Sequence, residues 1–600
     1  MNIALGIDTG GTYTDAVLID NDGGEVLGSA KSLTTKQDLS LGIKEAIQGV
    51  LKGRKQSDTN KTINLVALST TLATNAIAEG HGAPVSLLLI GYDQELVRQY
   101  NFQKDLATRD VVYLKGGHDI QGNERQALDE SGARQAIKAR RDNVSAFAVS
   151  GYFGAFNPTH ELRVQQLVRS LTDLPVTCGH QLSTRLDSIR RATTVALNAR
   201  LISLVQDLIA KVRSALDELS IAAPLMVVKG DGSLVRAEWA MQRPVETVLS
   251  GPAASALGAY RLAGNNDCWV ADVGGTTTDI IALKQGRPDI NPEGANIGGW
   301  QTMVEAVDAH TVGLGGDSHI RLDEEGQLII GPDRVVPLCI LTGDHPQVLE
   351  KLQPQGARRP FREGADQFIL LGREPRYQLS VNEKTVLALL KKGPRSLTGL
   401  VNTEFSRDPW IRRRIAELEQ KGLIQRAGFT PTDALHVLNR FERWNAEGSR
   451  KGAKLLAAQM GLPVPEFCQT VIRTMSEQLA ATVVSKVITD EFGPPQWAKE
   501  PTAKILMDTA LGASQSEQLD WEVTLRRPLV ALGAPVEAYM PHTAELLHTE
   551  LVIPPHTGVA NAIGAVSGGV LQQQRIYIRP LEGGGSLRVH LPDGHHDFAA

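Results

Sequence analysis

Two stretches far apart in this chain carry nearly the same eight residues. Residues 8–15 read Asp-Thr-Gly-Gly-Thr-Tyr-Thr-Asp, and residues 272–279 read Asp-Val-Gly-Gly-Thr-Thr-Thr-Asp. The shared positions are Asp8/Asp272, Gly10/Gly274, Gly11/Gly275, Thr12/Thr276, Thr14/Thr278 and Asp15/Asp279. Each copy lies between short apolar runs, Ile3–Ile7 and Ala16–Ile19 around the first, Cys268–Ala271 and Ile280–Leu283 around the second. A Gly-rich turn between two such runs predicts a β-hairpin. The repeat therefore asks for a fold with two related lobes, each opening on the same hairpin.

The residue types point to phosphate chemistry. Backbone N–H groups and hydroxyls at a Gly/Thr turn suit phosphate oxygens. An aspartate ending the preceding strand repels a phosphate but can hold a magnesium ion that bridges to it. We expect Asp8 and Asp272 to hold the metal. Gly10, Gly11, Thr12 and Thr14 are expected to cradle phosphate in one lobe, with Gly274, Gly275, Thr276 and Thr277 in the other. The competing reading is a pair of tight hairpins with incidental aspartates, which six matched positions make hard to sustain.

The remainder keeps an α/β rhythm. Strand-like runs at Leu65–Leu68, Val85–Ile90, Ala146–Val149 and Leu225–Val228 alternate with helix patterns at Asp38–Leu51, Thr71–Ala78, Pro158–Leu171 and Arg190–Leu216. Three early strands followed by helix–strand alternation describe a ribonuclease-H-like lobe. Farther on, Leu529–Pro535 reads as a buried strand ending in a small-residue turn, whose Gly533 and Ala534 are expected to border an adenosine. A helix at Val536–His548, a strand at Glu550–Ile553 and a small-residue helix at Gly558–Ala565 follow. The expected fold is α/β, two ribonuclease-H-like (actin-like ATPase) lobes gripping ATP and Mg2+ between them, with a winged-helix-like insertion. The divisions fall at residues 1–185, 186–376, 377–430, 431–570 and a β tail at 571–600.

With these residues in hand, the chain resembles the hydantoinase A/5-oxoprolinase family. The resemblance runs through the first hairpin, Ser69–Asn75, Gly151–Pro158, Ser250–Ala253, the second hairpin, Asp308–Thr311, Gly313–Gly316, Pro431–Ala434 and the distal small-residue helix. It implies an ATP-dependent hydrolase that phosphorylates a small cyclic amide, a hydantoin-like ring or a lactam. It also implies a second, hydrolytic subunit of the hydantoinase B type and an oligomer. Gly315 and Gly316 join the expected nucleotide site. Asp308 and His310, two apart and on one face if extended, become candidate catalytic groups, although an Asp–His bond inside a core reads as well from the residues alone. One departure is Asp317, a carboxylate where the family pattern has glycine, which bears on competence.

A second departure is the insertion. Val381–Lys391, a short helix near Ser396–Val401 and the basic helix Pro409–Lys421, with Arg412, Arg413 and Arg414, are expected to end in a wing hairpin at Gly422–Gly428. Such units read DNA grooves, but a net charge of −5 without long basic runs argues against nucleic acid as the partner. Asp433 reads either as a helix cap or as a cleft residue. The four scattered cysteines form no C-x-x-C pair, and adjacent His595 and His596 in a turn diverge too much for a metal pair. The triple glycine 583–585 reads as a turn between terminal strands. No signal-like or membrane-length apolar run is visible, so a cytoplasmic protein is expected. The rival reading is an ATP-driven activator acting on a protein client, since the same fold serves both purposes.

Overall fold

The structure is a computed structural model. It describes residues 2–34, 39–52, 63–78, 80, 82–352, 364, 366–372, 379–401, 405, 410–514, 516–571, 576–581, 585–591 and 594–599. The chain forms two compact units, one of residues 1–267, 281–309 and 559–600, the other of residues 268–280 and 310–558. Residues 186–267 cluster in the first unit, so the division runs through the segment 186–376 rather than at its ends.

In the first unit, β1 (Ile3–Thr9), β2 (Tyr13–Asp20) and β3 (Val26–Leu33) form an antiparallel meander. Helix α1 (Leu39–Leu51) leads to β4 (Ile63–Thr70), which pairs parallel with β1. After α2 (Leu72–Ala78), a second sheet is built from β5 (Val85–Ile90), β6 (Val111–Leu114), β7 (Ala146–Gly151), α3 (Thr159–Leu171) and β8 (Val176–Cys178), all its strands parallel. The 31-residue α4 (Ser188–Glu218) returns the chain to β9 (Leu225–Val228) and β10 (Leu234–Arg236). The first sheet is then ordered β10-β9-β4-β1-β2-β3. That is the ribonuclease-H-like arrangement the hairpin and the α/β rhythm call for.

β1 is buried along its whole length, and its alternation sorts the core. Ile3, Leu5 and Ile7 pack with Ile43, Ile47, Val205 and Leu208 of α1 and α4, while Ala4 faces the other layer with Val17, Ala67 and Val228. That other layer includes α5 (Ser250–Ala263), whose Ser250-Gly-Pro-Ala start is the family-like motif.

The next strands, β11 (Cys268–Val273) and β12 (Thr278–Lys284), frame the second hairpin. In the second unit β13 (Phe368–Leu371) precedes the insertion, which supplies α6 (Val381–Leu390), β14 (Arg395–Ser396), α7 (Leu397–Gly399), α8 (Ile411–Gln420) and β15 (Ile424–Gly428). Ile369, Val386, Leu390, Ile415 and Leu418 make its own core. It is winged-helix-like with one correction: residues 422–428 form no hairpin. β15 is a single strand whose antiparallel partner, β13, precedes the helices, and the chain goes directly into α9 (Pro431–Val437). Ile424 and Ala427 are buried, so this strand is needed inside the sheet rather than as a projecting wing. On α8, Arg413 pairs with Glu417 at 3.0 Å.

β16 (Leu529–Leu532), α10 (Val536–Leu546) and β17 (Leu551–Val552) close the second unit's sheet, with β16 parallel to both β11 and β17. The chain re-enters the first unit as α11 (Ala560–Ser567). α11 lies so close to its neighbours that side chains are excluded. A Cβ on Gly564 would stand 1.7 Å from the Ala254 carbonyl oxygen, one on Gly258 2.2 Å from that of Ala560, and one on Gly6 2.0 Å from that of Ala562. The small-residue pattern of both helices thus marks a backbone-to-backbone crossing. The tail is a three-stranded sheet, β18 (Tyr577–Pro580), β19 (Ser586–Leu591) and β20 (Gly594–Ala599). Gly583 and Gly584 lie outside the described residues, and His596 is exposed. No described helix is long and apolar enough to cross a membrane.

Candidate nucleotide site

Each unit carries one of the repeated hairpins, and the two turns close alike. The Gly10 N–H donates to the Tyr13 carbonyl at 2.9 Å, and the Gly274 N–H to the Thr277 carbonyl at 2.9 Å. A Cβ at either glycine would stand 3.1 Å from that same acceptor. Gly11 and Gly275 are exposed at the tips, and Thr12, Thr276 and Thr277 are half-buried beside them. A turn of this kind offers N–H groups and hydroxyls at its tip, the donors an anion needs.

The matched threonines 14 and 278 are fully buried. Thr14 Oγ1 lies 3.0 Å from Thr34 Oγ1, and Thr278 Oγ1 donates to the Leu314 carbonyl at 2.7 Å. These hydroxyls are satisfied inside the fold, which fits a role in shaping the hairpin.

Asp8 is the penultimate residue of β1 and is 6% exposed; it stands in register with Asp15 on β2 and Ser69 on β4. The Ser69 hydroxyl is buried without a hydrogen-bond partner among the described residues. Nothing in the Ser69–Asn75 motif marked this serine apart from its neighbours; only the strand register brings it level with Asp8. Asp272 is the penultimate residue of β11, in register with Leu532 of the parallel strand β16. Each aspartate therefore sits at the end of a strand flanked by its hairpin partner and by a parallel strand. The ends of parallel strands are where α/β folds place ligands.

In the second unit β16 runs into Gly533 at φ +111°, and a Cβ there would stand 2.1 Å from the Val273 carbonyl oxygen. Only glycine supplies both that backbone angle and that clearance. Ala534, next along, is exposed.

The glycine stretch 313–316 lies directly on the second hairpin. The Gly316 N–H donates to the Gly274 carbonyl at 3.1 Å, and the Asp317 N–H to the Gly275 carbonyl at 2.7 Å. The Gly315 N–H is taken by Ser318 Oγ at 2.9 Å. These amides are spent within the protein, so Gly315 and Gly316 back the hairpin. Asp317 Oδ2 stands 3.1 Å from the Cβ position of Gly275 and 3.3 Å from an Arg334 guanidinium nitrogen. Burial pushes Asp317 up to about 6 against the opposing pull of Arg334. The fully buried Tyr539 hydroxyl has no hydrogen-bond partner among the described residues, and Asp317 is the charge acting on it.

Asp308 and His310 flank the first residue of the extended strand Ala309–Val312, and the unit boundary passes between residues 309 and 310. Asp279, on the second hairpin, is pushed up to about 7 by burial, with Thr311 donating a hydrogen bond to it and Asp272 adding repulsion. Asp433 is buried at the third position of α9, whose N-cap is Thr430, and completes a capping box with it. Its carboxylate accepts from the N–H groups of Leu338 at 3.0 Å, Cys339 at 2.8 Å and Thr430 at 3.1 Å, and from Ser449 Oγ at 2.6 Å. In the first unit, buried Glu161 knots the end of β7 in a similar way. It accepts from the Gly151 N–H at 2.7 Å and from the N–H and Nδ1 of His180 at 2.9 and 2.6 Å.

Set beside known proteins, residues 4–172 match the hydantoinase/oxoprolinase N-terminal region and residues 191–346 the hydantoinase/oxoprolinase region. The caprolactamase subunit alpha of Pseudomonas jessenii is 30% identical over 350 residues, 55% of this chain and 50% of that protein. The acetophenone carboxylase gamma subunit of Aromatoleum aromaticum is 26% identical over 386 residues, 58% of this chain and 52% of its own length. The chain thus spans about half the length of the curated relatives it matches. The nucleotide-free structure of an acetone carboxylase, described with ATP-dependent acetone carboxylation, superposes with a TM-score of 0.65 at 17% identity, covering 97% of this chain and 72% of that one. The fold is shared over nearly the whole chain, and with both family regions in place this protein belongs to the hydantoinase/oxoprolinase family.

Proposed function

We propose that this chain is an ATP- and Mg2+-using subunit that phosphorylates a small cyclic amide, such as a lactam or a hydantoin-like ring, to prepare it for hydrolysis. The observation that carries the reading is the paired hairpin: two turns of the same geometry, each with an exposed tip glycine and an aspartate at the preceding strand end. The names of its relatives support the chemistry, since one acts on a lactam and others are carboxylases. Subunit names among them support a second chain, which we place at the hydrolytic step.

In this reading the amides of Gly11 and Gly275 and the hydroxyls of Thr12 and Thr276 receive phosphate oxygens. Gly533 and Ala534 border the adenosine. Hard carboxylate oxygens fit magnesium, and Asp8 and Asp272 would hold it. The ion supplies charge neutralisation for the phosphoryl group, which is most of what such a transfer requires. We assign Asp308 and His310 to the substrate side. Replacing Asp8 or Asp272 by Asn is expected to lower turnover on the order of a hundredfold, the scale of losing one preorganised electrostatic contact.

The test is ATP binding and ATP turnover with magnesium, alone and against a panel of lactams and hydantoins. Turnover raised by one ring compound and lost in Asp8→Asn and Asp272→Asn supports the proposal. The separately cored insertion around α8 favours a second reading, an ATPase acting on a protein client. Slow turnover blind to every ring compound would move the assignment there, and failure to bind ATP would refute both.

A further inference from the structure

A carboxylate laid against a phosphate-binding turn needs a reason. Asp317 is held in place twice over: its N–H donates to the Gly275 carbonyl at 2.7 Å, and its own carbonyl accepts from the Val335 N–H at 3.1 Å. Its side chain, 14% exposed, stands 3.1 Å from the Cβ position of the tip glycine Gly275. Two elements converge to fix it. The stretch 313–316 packs under the hairpin so closely that a Cβ on Gly315 would stand 2.7 Å from the Gly274 carbonyl. Arg334, at the end of the strand Leu328–Arg334, meets its carboxylate at 3.3 Å.

An anion at the Gly275 tip therefore meets a negative charge carried on a pinned backbone and held at 3.3 Å by Arg334. Arg334 offsets that charge incompletely, because it is itself 37% exposed and partly screened by water. A polyphosphate carrying its full charge is repelled, whereas one whose charge is already reduced by a divalent cation is repelled much less. Resting on the ATP reading above, we propose that Asp317 makes the second hairpin discriminate against free ATP in favour of its magnesium complex, and that Arg334 sets how severe the discrimination is. Asp317 is on this view a specificity-determining residue, and the glycine-lined stretch below it is the rigid mount that keeps it there.

The experiment is equilibrium binding of ATP by calorimetry, once with magnesium and once with a chelator. It compares the unaltered chain with Asp317→Asn, Asp317→Ser and Arg334→Gln, each first checked by thermal melting. Asn keeps the shape and the backbone bonds while removing the charge. We expect both Asp317 variants to narrow the ratio of the two affinities by about tenfold, chiefly by tightening free-ATP binding. Arg334→Gln should widen the ratio. Unchanged ratios in both Asp317 variants, with the unaltered chain still binding Mg-ATP, would overturn the role of Asp317 and leave the ATP reading intact. No binding of Mg-ATP by the unaltered chain would overturn the ATP reading itself, and this proposal with it.

Discussion

The two hairpins share a sequence and a turn geometry but not an electrostatic setting. In the first, Asp15 carries a counter-charge, Lys31 Nζ at 3.1 Å, on the neighbouring strand. In the second, the matching Asp279 has a threonine hydroxyl and the repulsion of Asp272, and burial pushes it up to about 7. The first hairpin is flanked by an ordinary third strand, β3, whereas the second is backed by the stretch 313–316 with Asp317 at its end. A repeated motif thus fixes the backbone, and the surroundings decide what charge each copy tolerates. Under the ATP reading, the second hairpin is the more selective of the two.

The largest effects should come from the glycines beneath the hairpins. Gly6→Ala drives a methyl into the Ala562 carbonyl, and Gly533→Ala drives one into the Val273 carbonyl at a backbone angle that alanine resists. Each should cost about 3 kcal/mol, the upper end of what overpacking a core typically costs. Chemical denaturation followed by site-resolved hydrogen exchange would separate them. Loss of protection in residues 3–20 is expected for Gly6→Ala, and in residues 268–280 for Gly533→Ala. If both variants melted the same residues, the two hairpins would not be independently supported.

How much of this was legible in the sequence depends on what each residue answers to. The hairpins, the parallel strands and the small-residue helix were legible because alternation, glycine turns and compact residues act locally. The small-residue run Gly558–Ala565 reads as a helix that lets another backbone approach closely, and in the fold its Gly564 lies against the Ala254 carbonyl. The wing was not legible. Gly422–Gly428 has a hairpin's composition, but its strand is claimed by β13, which lies earlier in the chain. Nor could the sequence choose a role for Asp433, whose donors come from residues 338, 339 and 449 as well as from its own turn. Gly315 and Gly316 look like phosphate-loop glycines in sequence, yet their amides are satisfied by partners within the fold.

The charge difference predicts substitutions of opposite sign. Asp15→Asn removes the partner of Lys31 and should destabilise the first unit by about 0.5–1 kcal/mol at neutral pH. For Asp279 the folded value of about 7 lies above the ordinary 3.8. Between those values the folded chain binds more protons than the unfolded one, so stability falls as pH rises through that window and levels off above it. Asp279→Asn should therefore be more stable than the unaltered protein at pH 8, by about 1–2 kcal/mol once partial exposure is discounted. The advantage should vanish below about pH 4. Melting curves of the nucleotide-free protein across pH test this, and a gain that persisted at pH 4 would point to packing instead of charge.

The smallest difference expected lies in the buried threonines. Thr278→Val deletes the donor to the Leu314 carbonyl and leaves that acceptor stranded under the hairpin, at about 1–2 kcal/mol. Thr14→Val deletes a hydroxyl whose partner, Thr34, is only half-buried and can turn to water, so about 0.5 kcal/mol is expected. The pair matters beyond its size because Leu314 belongs to the stretch that mounts Asp317. If Thr278 helps to hold that mount, Thr278→Val should also soften the discrimination between magnesium-bound and free ATP, whereas Thr14→Val should leave the ratio alone. Equal effects of the two valines on that ratio would mean that selectivity is spread over both hairpins and does not reside in the second.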